Sequence, residues 1–136
     1  MGLPEHLRRF PTREAIDSLA SRFGLRNTPE MQDWQWEVAD PARLDEFLAV
    51  YLDGSLSDDE RFVLMQMLLQ CFEESDADLD SDPRWAQVVA ALAARFELHA
   101  CTVWYWGCAD DGDRGAWFRV TPWLRRIFAC HRARLQ

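Results

Sequence analysis

The segment Ser57 to Phe72, SDDERFVLMQMLLQCF, carries the strongest structural signal in the sequence. Ser57 and Glu60 have the spacing of a capping box, in which each side chain accepts a hydrogen bond from the other residue's backbone N–H. After Arg61 the segment is apolar on nearly every side, which is typical of a helix that is buried or spans a membrane. The apolar run of about eleven residues falls short of the roughly 18–20 that a membrane span needs. We therefore predict a buried central helix.

Other helices are predicted from start and stop signals at both sides of this segment. A threonine cap and a glycine stop bound the first, at Thr12 and Gly24, while proline at the first helical position opens the others. The predicted helices follow Thr12, Asp40-Pro41, Asp82-Pro83 and Thr121-Pro122. With the central helix they make about five.

Three short segments have the composition or alternation of β-strands. Trp34, Trp36 and Val38 alternate with polar residues, although Pro29 could instead start a helical turn there. Residues 101–106 and 116–120 are rich in β-branched and aromatic side chains, with a turn-rich loop at 110–115 between them. We predict a mainly α fold: about five helices around a buried central helix, with a small antiparallel β-hairpin or three-stranded sheet.

The length of 136 residues predicts a single domain, residues 1–136, in which residues 1–11 form a loose leader. The first residues lack the apolar stretch of a secretory signal, so we expect a cytoplasmic protein that is not inserted in a membrane. In that compartment the four cysteines are expected to be free thiols.

Charge is distributed unevenly along the chain, whose net charge is −8. Residues 27–82 contain sixteen acidic residues and two arginines, whereas residues 83–136 contain eight arginines and four acidic residues. An acidic protein lacks the basic footprint that nucleic-acid binding needs. The same charge would attract a basic protein partner over long range.

Reactive residues do not fall at recognised intervals. A calcium loop beginning at Asp76 would need glycine at its sixth position and an acidic residue at its twelfth, but the sequence has Ser81 and Gln87 there. The histidine and cysteines at 99, 101 and 108 lack the spacing of a structural zinc site. We assign no catalytic residue, metal or cofactor. The alternative hypothesis is a small enzyme or metal-binding protein that uses His99, Cys101 and Cys108, because such partners can meet in space.

Surplus aromatic residues are the most suggestive functional feature, because exposed tryptophan and tyrosine commonly anchor protein interfaces. Together with the aspartates of the acidic segment 73–82, they give the predicted partner-binding residues. These are Trp34, Trp36, Trp104, Tyr105, Trp106, Asp76, Asp78 and Asp80. A homodimer that buries the aromatic residues against a second copy is the other arrangement that we consider.

The layout resembles small, mostly helical bacterial immunity proteins of polymorphic toxin systems. The resemblance lies in MQDWQWEVADP from Met31, LSDDERFVLMQ from Leu56, TVWYW from Thr102 and VTPWLR from Val120. It implies a cytoplasmic, non-enzymatic protein that binds and neutralises a cognate toxin. It assigns no binding residue.

Overall fold

The computed structural model describes residues 2–108 and 114–135. Across these residues the chain forms seven α-helices and no β-strand, and 68% of the described positions are helical. The mainly α fold is therefore confirmed. The helices are α1 (Arg13–Phe23), α2 (Trp34–Glu37), α3 (Leu44–Leu52), α4 (Asp58–Glu74), α5 (Pro83–Ala94), α6 (Phe96–Trp106) and α7 (Thr121–His131). Short 3₁₀-helices cover Glu5–Leu7, Pro41–Arg43, Arg114–Ala116 and Arg132–Leu135.

The chain contains two compact units. The contiguous unit is Phe10–Asp76. The split unit comprises the described residues of Met1–Arg9 and Ala77–Gln136. The acidic segment 73–82 contains the boundary between them.

Helix α4 forms the core of the contiguous unit, as its sequence predicts. Ser57 Oγ accepts a hydrogen bond from the Glu60 N–H at 3.2 Å, and Glu60 Oε1 accepts one from the Ser57 N–H at 2.8 Å. All eight residues from Phe62 to Leu69 are buried. Helices α1, α2 and α3 all contact α4, so the contiguous unit buries its most apolar helix by packing three others around it.

Helices α5, α6 and α7 contact one another and form the split unit. The 3₁₀-helix Glu5–Leu7 contacts α6, and Leu3 is only 5% exposed. Residues 2–9 are therefore packed, in contrast to the loose leader that we predicted for 1–11. The apolar side chains of Leu3 and Leu7 account for the difference, because they give this segment something to bury.

The predicted β-hairpin and three-stranded sheet are wrong. Trp34–Glu37 forms the short helix α2, with Val38 at its C-cap, and residues 101–106 are the second half of helix α6. Residues 114–116 form a 3₁₀-helix in place of the start of the last strand. Residues 109–113 of the predicted turn lie outside the described residues. Helix formation at α6 follows from burial, because seven of its eleven residues are buried and strand composition is a weak preference beside tertiary packing.

Over the described residues, none of the helices combines the length and the apolar character that crossing a membrane would require.

Candidate functional site

The aromatic residues predicted to bind a partner differ in exposure. Trp34 is 1% exposed and its indole Nε1 donates to the Arg26 carbonyl at 2.7 Å, and Trp106 is 2% exposed. Trp36 and Trp104 are half-buried, and the Trp104 ring lies 5.8 Å from the Arg8 guanidinium. Tyr105 is 46% exposed. Trp34 and Trp106 are thus core residues, and Tyr105 is the member of the set with most surface to offer.

The exposed Tyr105 packs in an aromatic cluster with Trp106 and Phe118. The Phe118 ring centroid lies 4.5 Å from that of Trp106 and 6.1 Å from that of Tyr105. Tyr105 and Trp106 meet edge to face at 5.9 Å. Each separation falls in the range in which aromatic pairs stabilise one another. The cluster therefore holds Tyr105 in place while part of its ring remains in solvent.

Thr121 positions this cluster from the core. Its buried hydroxyl donates to the Trp106 carbonyl at 2.8 Å and accepts from the Phe118 N–H at 2.9 Å. One hydroxyl therefore ties the end of α6 to the segment that precedes α7. This hydroxyl therefore sets how Tyr105 and Trp106 on α6 align with Phe118, which precedes α7.

The acidic turn, residues 78–82, is the second component. The Asp78 carboxylate accepts from the Asp80 N–H at 3.2 Å and from the Ser81 hydroxyl at 3.0 Å. Asp82 instead pairs with Arg84 at 2.7 Å, and hydrogen bonds from Arg84 hold the pKa of Asp82 below its ordinary value. Leu79 is buried, while Asp78 and Asp80 are exposed. Asp76, also exposed, belongs to the contiguous unit.

Arg119 connects the acidic turn to the aromatic cluster. Its Nη2 donates to the Ala77 carbonyl at 2.5 Å. Ala77 directly precedes Asp78, and Arg119 directly follows Phe118. The segments that carry the two predicted components are therefore joined in one region of the split unit. We call this region the docking surface and define it as Asp78, Asp80, Tyr105, Phe118 and Arg119.

Sequence reasoning missed Arg119, because its partner is a backbone carbonyl 42 residues away and no local pattern marks such a contact. Phe118 is likewise absent from the predicted partner-binding residues. The signal that could have found both is their position beside the cap of α7, where the chain turns between two helices.

Of the residues named in the alternative hypothesis, His99 and Cys101 lie within α6 and Cys108 follows its end. The His99 side chain is fully buried in α6. Cys108 is half-buried, with Sγ 3.8 Å from the Thr121 hydroxyl oxygen. Among the described residues, no group of three or more His, Cys, Asp or Glu side chains is placed to hold a metal ion.

Carboxylates outnumber arginines in the contiguous unit by fifteen to five. Four of those arginines already pair with acidic residues, as in Arg13 with Asp17 at 2.8 Å and Arg43 with Glu46 at 2.8 Å. The unit therefore has a negative surface, which would raise the local concentration of a positively charged partner.

Comparison with known protein families, curated proteins and solved structures finds no match for this chain.

Proposed function

We propose that this protein is a non-enzymatic binding module whose docking surface receives a basic protein partner. The exposure of Tyr105 within a packed aromatic cluster carries the proposal, because it leaves a rigid aromatic anchor at the surface of the split unit. Binding hot spots combine such a rigid aromatic anchor with polar groups at its edge.

The two components would have separate roles. Tyr105 would insert into the partner, because its packing against Trp106 and Phe118 limits the side-chain entropy that docking costs. Asp78 and Asp80 would meet basic side chains, and the negative contiguous unit would accelerate the encounter. Arg119 is engaged by the Ala77 carbonyl, so its charge is used to hold the surface together.

The more specific form of the proposal is an immunity protein that acts in the cytoplasm and neutralises a toxin. It is supported by the layout that the sequence shares with immunity proteins of polymorphic toxin systems, and by an acidic surface suited to a basic partner. Binding alone would block such a toxin.

Affinity capture with the full-length protein tests the proposal. We expect wild type to retain one stoichiometric partner from native lysate. Tyr105→Ala should weaken its binding by about 30-fold, as for an aromatic hot spot. The double change D78N/D80N should slow association and make the rate less sensitive to salt.

Matched controls remove similar groups elsewhere. Phe10→Ala removes an aromatic ring that is 75% exposed, and Glu14→Gln with Asp33→Asn removes two exposed charges from the contiguous unit. Phe10→Ala should bind as wild type does, and the two charge changes in the contiguous unit should slow association less than D78N/D80N does. The proposal fails if no stoichiometric partner is retained or if the docking-surface variants bind as tightly as the controls. A homodimer detected by light scattering, and lost with Tyr105→Ala, would instead assign the surface to self-association.

The immunity function has its own test. We expect a toxin gene beside the gene for this protein. Co-expression with that toxin should restore growth, and Tyr105→Ala should reduce that protection. Equal protection by wild type and by Tyr105→Ala would argue against the docking surface as the neutralising site.

A further inference from the structure

A pocket of about 450 Å³ lies between α6 and α7 in the split unit. Its apolar walls include Val103, Phe128 and Ala129, and three arginines, Arg125, Arg126 and Arg132, also line it. Small-molecule sites have this volume and this mixture, in which apolar walls surround a few convergent polar groups. None of the docking-surface residues lines the pocket.

Gly107 brings the end of α6 against α7 at the edge of the pocket. A Cβ atom added at Gly107 would lie only 2.7 Å from the Val103 carbonyl oxygen and 3.5 Å from the Arg125 backbone nitrogen. Any larger residue would force the backbone to shift. The missing side chain therefore permits the close approach that shapes the pocket.

Arg125 is held in a fixed orientation at this edge. Its Nη1 donates to the carbonyls of Gly107 at 3.1 Å and Cys108 at 2.8 Å, at the negative end of α6. The guanidinium also stacks 4.7 Å from the centroid of the Trp117 ring. Arg125 therefore forms part of the pocket wall with its side chain already fixed.

The positive charge on the other two arginines is not neutralised by the described residues. Arg126 lies over the Trp123 ring at 5.4 Å, and neither Arg126 nor Arg132 forms an ion pair within residues 2–108 and 114–135. No acidic residue is found among those that line the pocket in this part of the chain. From Arg114 to the last residue the sequence contains six arginines and no Asp or Glu. The like charges of Arg126 and Arg132 at one cavity repel one another unless an anion is present.

We propose that this pocket binds a small organic anion that has an apolar body and one carboxylate or phosphate group. Val103, Phe128 and Ala129 contact the apolar body, which the pocket removes from water. Arg126 and Arg132 hold the anionic group, because the planar guanidinium matches the oxygen geometry of carboxylate and phosphate. This function is independent of the protein-docking surface, so each can fail without the other.

Calorimetric titration of the full-length protein with 4-phenylbutyrate tests the inference. We expect saturable binding of one equivalent, with quenching of tryptophan fluorescence because Trp117 and Trp123 stack on the pocket arginines. The neutral analogue 4-phenylbutanamide should bind at least about ten-fold more weakly, since charge-assisted hydrogen bonds are lost. Inorganic phosphate should also bind more weakly, because it lacks the apolar body.

Variants separate the pocket from diffuse positive charge. R126Q/R132Q should weaken 4-phenylbutyrate binding by at least about ten-fold. Ala129→Leu, which fills the pocket from an exposed position and retains every arginine, should weaken it similarly. The control R8Q/R114Q removes the same number of charges from the split unit outside the pocket lining, and should bind normally.

Equal affinities for 4-phenylbutyrate and its amide would overturn the inference. So would a dissociation constant that R126Q/R132Q and Ala129→Leu leave unchanged. Phosphate binding as tightly as 4-phenylbutyrate would show that the apolar walls contribute nothing, and would also overturn it.

Discussion

Gln35 and Gln66 show how a single polar pair can control stability inside an apolar unit. Gln35 is 5% exposed and Gln66 9% exposed, and Gln35 Nε2 donates to Gln66 Oε1 at 2.8 Å. A buried amide that loses its partner keeps the full desolvation cost, whereas removal of both amides removes that cost. The pair joins α2 to α4, so it also fixes where the short helix α2 packs.

We predict that Gln66→Leu lowers the free energy of unfolding by about 1–3 kcal/mol because it leaves the Gln35 amide buried without this acceptor. The double variant Q35L/Q66L should recover most of that loss. Urea denaturation of both singles and the double measures the coupling, with the exposed Gln32→Leu as control. Additive losses in the double variant would show that the two amides act independently.

Cys71 provides a second prediction. Burial raises the pKa of the Cys71 thiol from its ordinary 9.0 to about 12, and hydrogen bonding with the Asp40 backbone offsets this only in part. Cys130, in contrast, is exposed. Thiolate is the reactive form, so alkylation at neutral pH should label Cys130 in the native protein and Cys71 only after unfolding. Mass spectrometry after digestion identifies the labelled sites, and native labelling of both at one rate would contradict the assignment.

The sign of the pH effect at Cys71 follows from linkage. Because the folded-state pKa is raised, the contribution of the neutral thiol to stability is complete below pH 9.0 and is lost as the pH rises towards about 12. The free energy of unfolding of Cys71→Ala should therefore fall less than that of wild type between pH 9.0 and about 12.

Helix α4 depends on its first turn as well as on its apolar face. Glu60 accepts from the Ser57 N–H and, through its second carboxylate oxygen, from the Ser18 hydroxyl at 2.6 Å. Partial burial acts to raise the pKa of Glu60, but the hydrogen bonds from Ser18 and Ser57 outweigh it and leave the pKa below 4.5. The cap therefore connects α4 to α1 in addition to closing the first turn.

We predict that Ser57→Ala lowers the free energy of unfolding by about 1 kcal/mol, the usual effect of removing a serine cap. Ser21→Ala, an exposed change within α1, is the control and should leave stability nearly unchanged. Since the folded-state pKa of Glu60 is lowered, its contribution is present above pH 4.5 and is lost as the pH falls through the folded-state value. Thermal denaturation should therefore show the stability gap between wild type and Ser57→Ala narrowing in acid without closing, because the Glu60 N–H to Ser57 Oγ bond does not titrate. A gap that does not narrow would exclude the Glu60 carboxylate from the effect.

Local sequence signals predicted the helices that begin with a capping residue or a proline. They failed where helix formation depends on tertiary packing. Thr12, Ser57 and the prolines at 41, 83 and 122 mark helix starts within one or two residues of those observed. Helix α6 has no side-chain cap, and the backbone of Arg95 (φ −120°, ψ 48°) separates it from α5. Its strand-like composition could not reveal that the segment is buried as a helix, because that outcome depends on α7 and the N-terminal residues.

The sequence predicted only part of the candidate site, again because tertiary packing decides the rest. Residue type identified Tyr105, Asp78 and Asp80, but it could not separate them from Trp34 and Trp106, which the core encloses. Exposure depends on distant contacts such as the one between Arg119 and Ala77. The arginine-lined pocket likewise requires α6 and α7 to be placed before its residues can be recognised as neighbours.

Far-UV circular dichroism of the complete chain tests the secondary structure. With 68% of the described residues helical, we expect a strongly helical spectrum. The spectrum should not change with protein concentration, which separates the intrinsic fold from any sheet formed by association. A substantial strand contribution in the dilute monomer would restore the predicted hairpin and contradict helix α6.

The order in which the chain is made affects the two units differently. The contiguous unit, Phe10–Asp76, leaves the ribosome as one uninterrupted stretch and can fold while later residues are still being added. Residues 2–9 emerge before that unit, yet their contacts within the split unit are with residues such as those of α6, Phe96–Trp106. During synthesis the apolar side chain of Leu3 therefore stays exposed to solvent until most of the polypeptide has been translated.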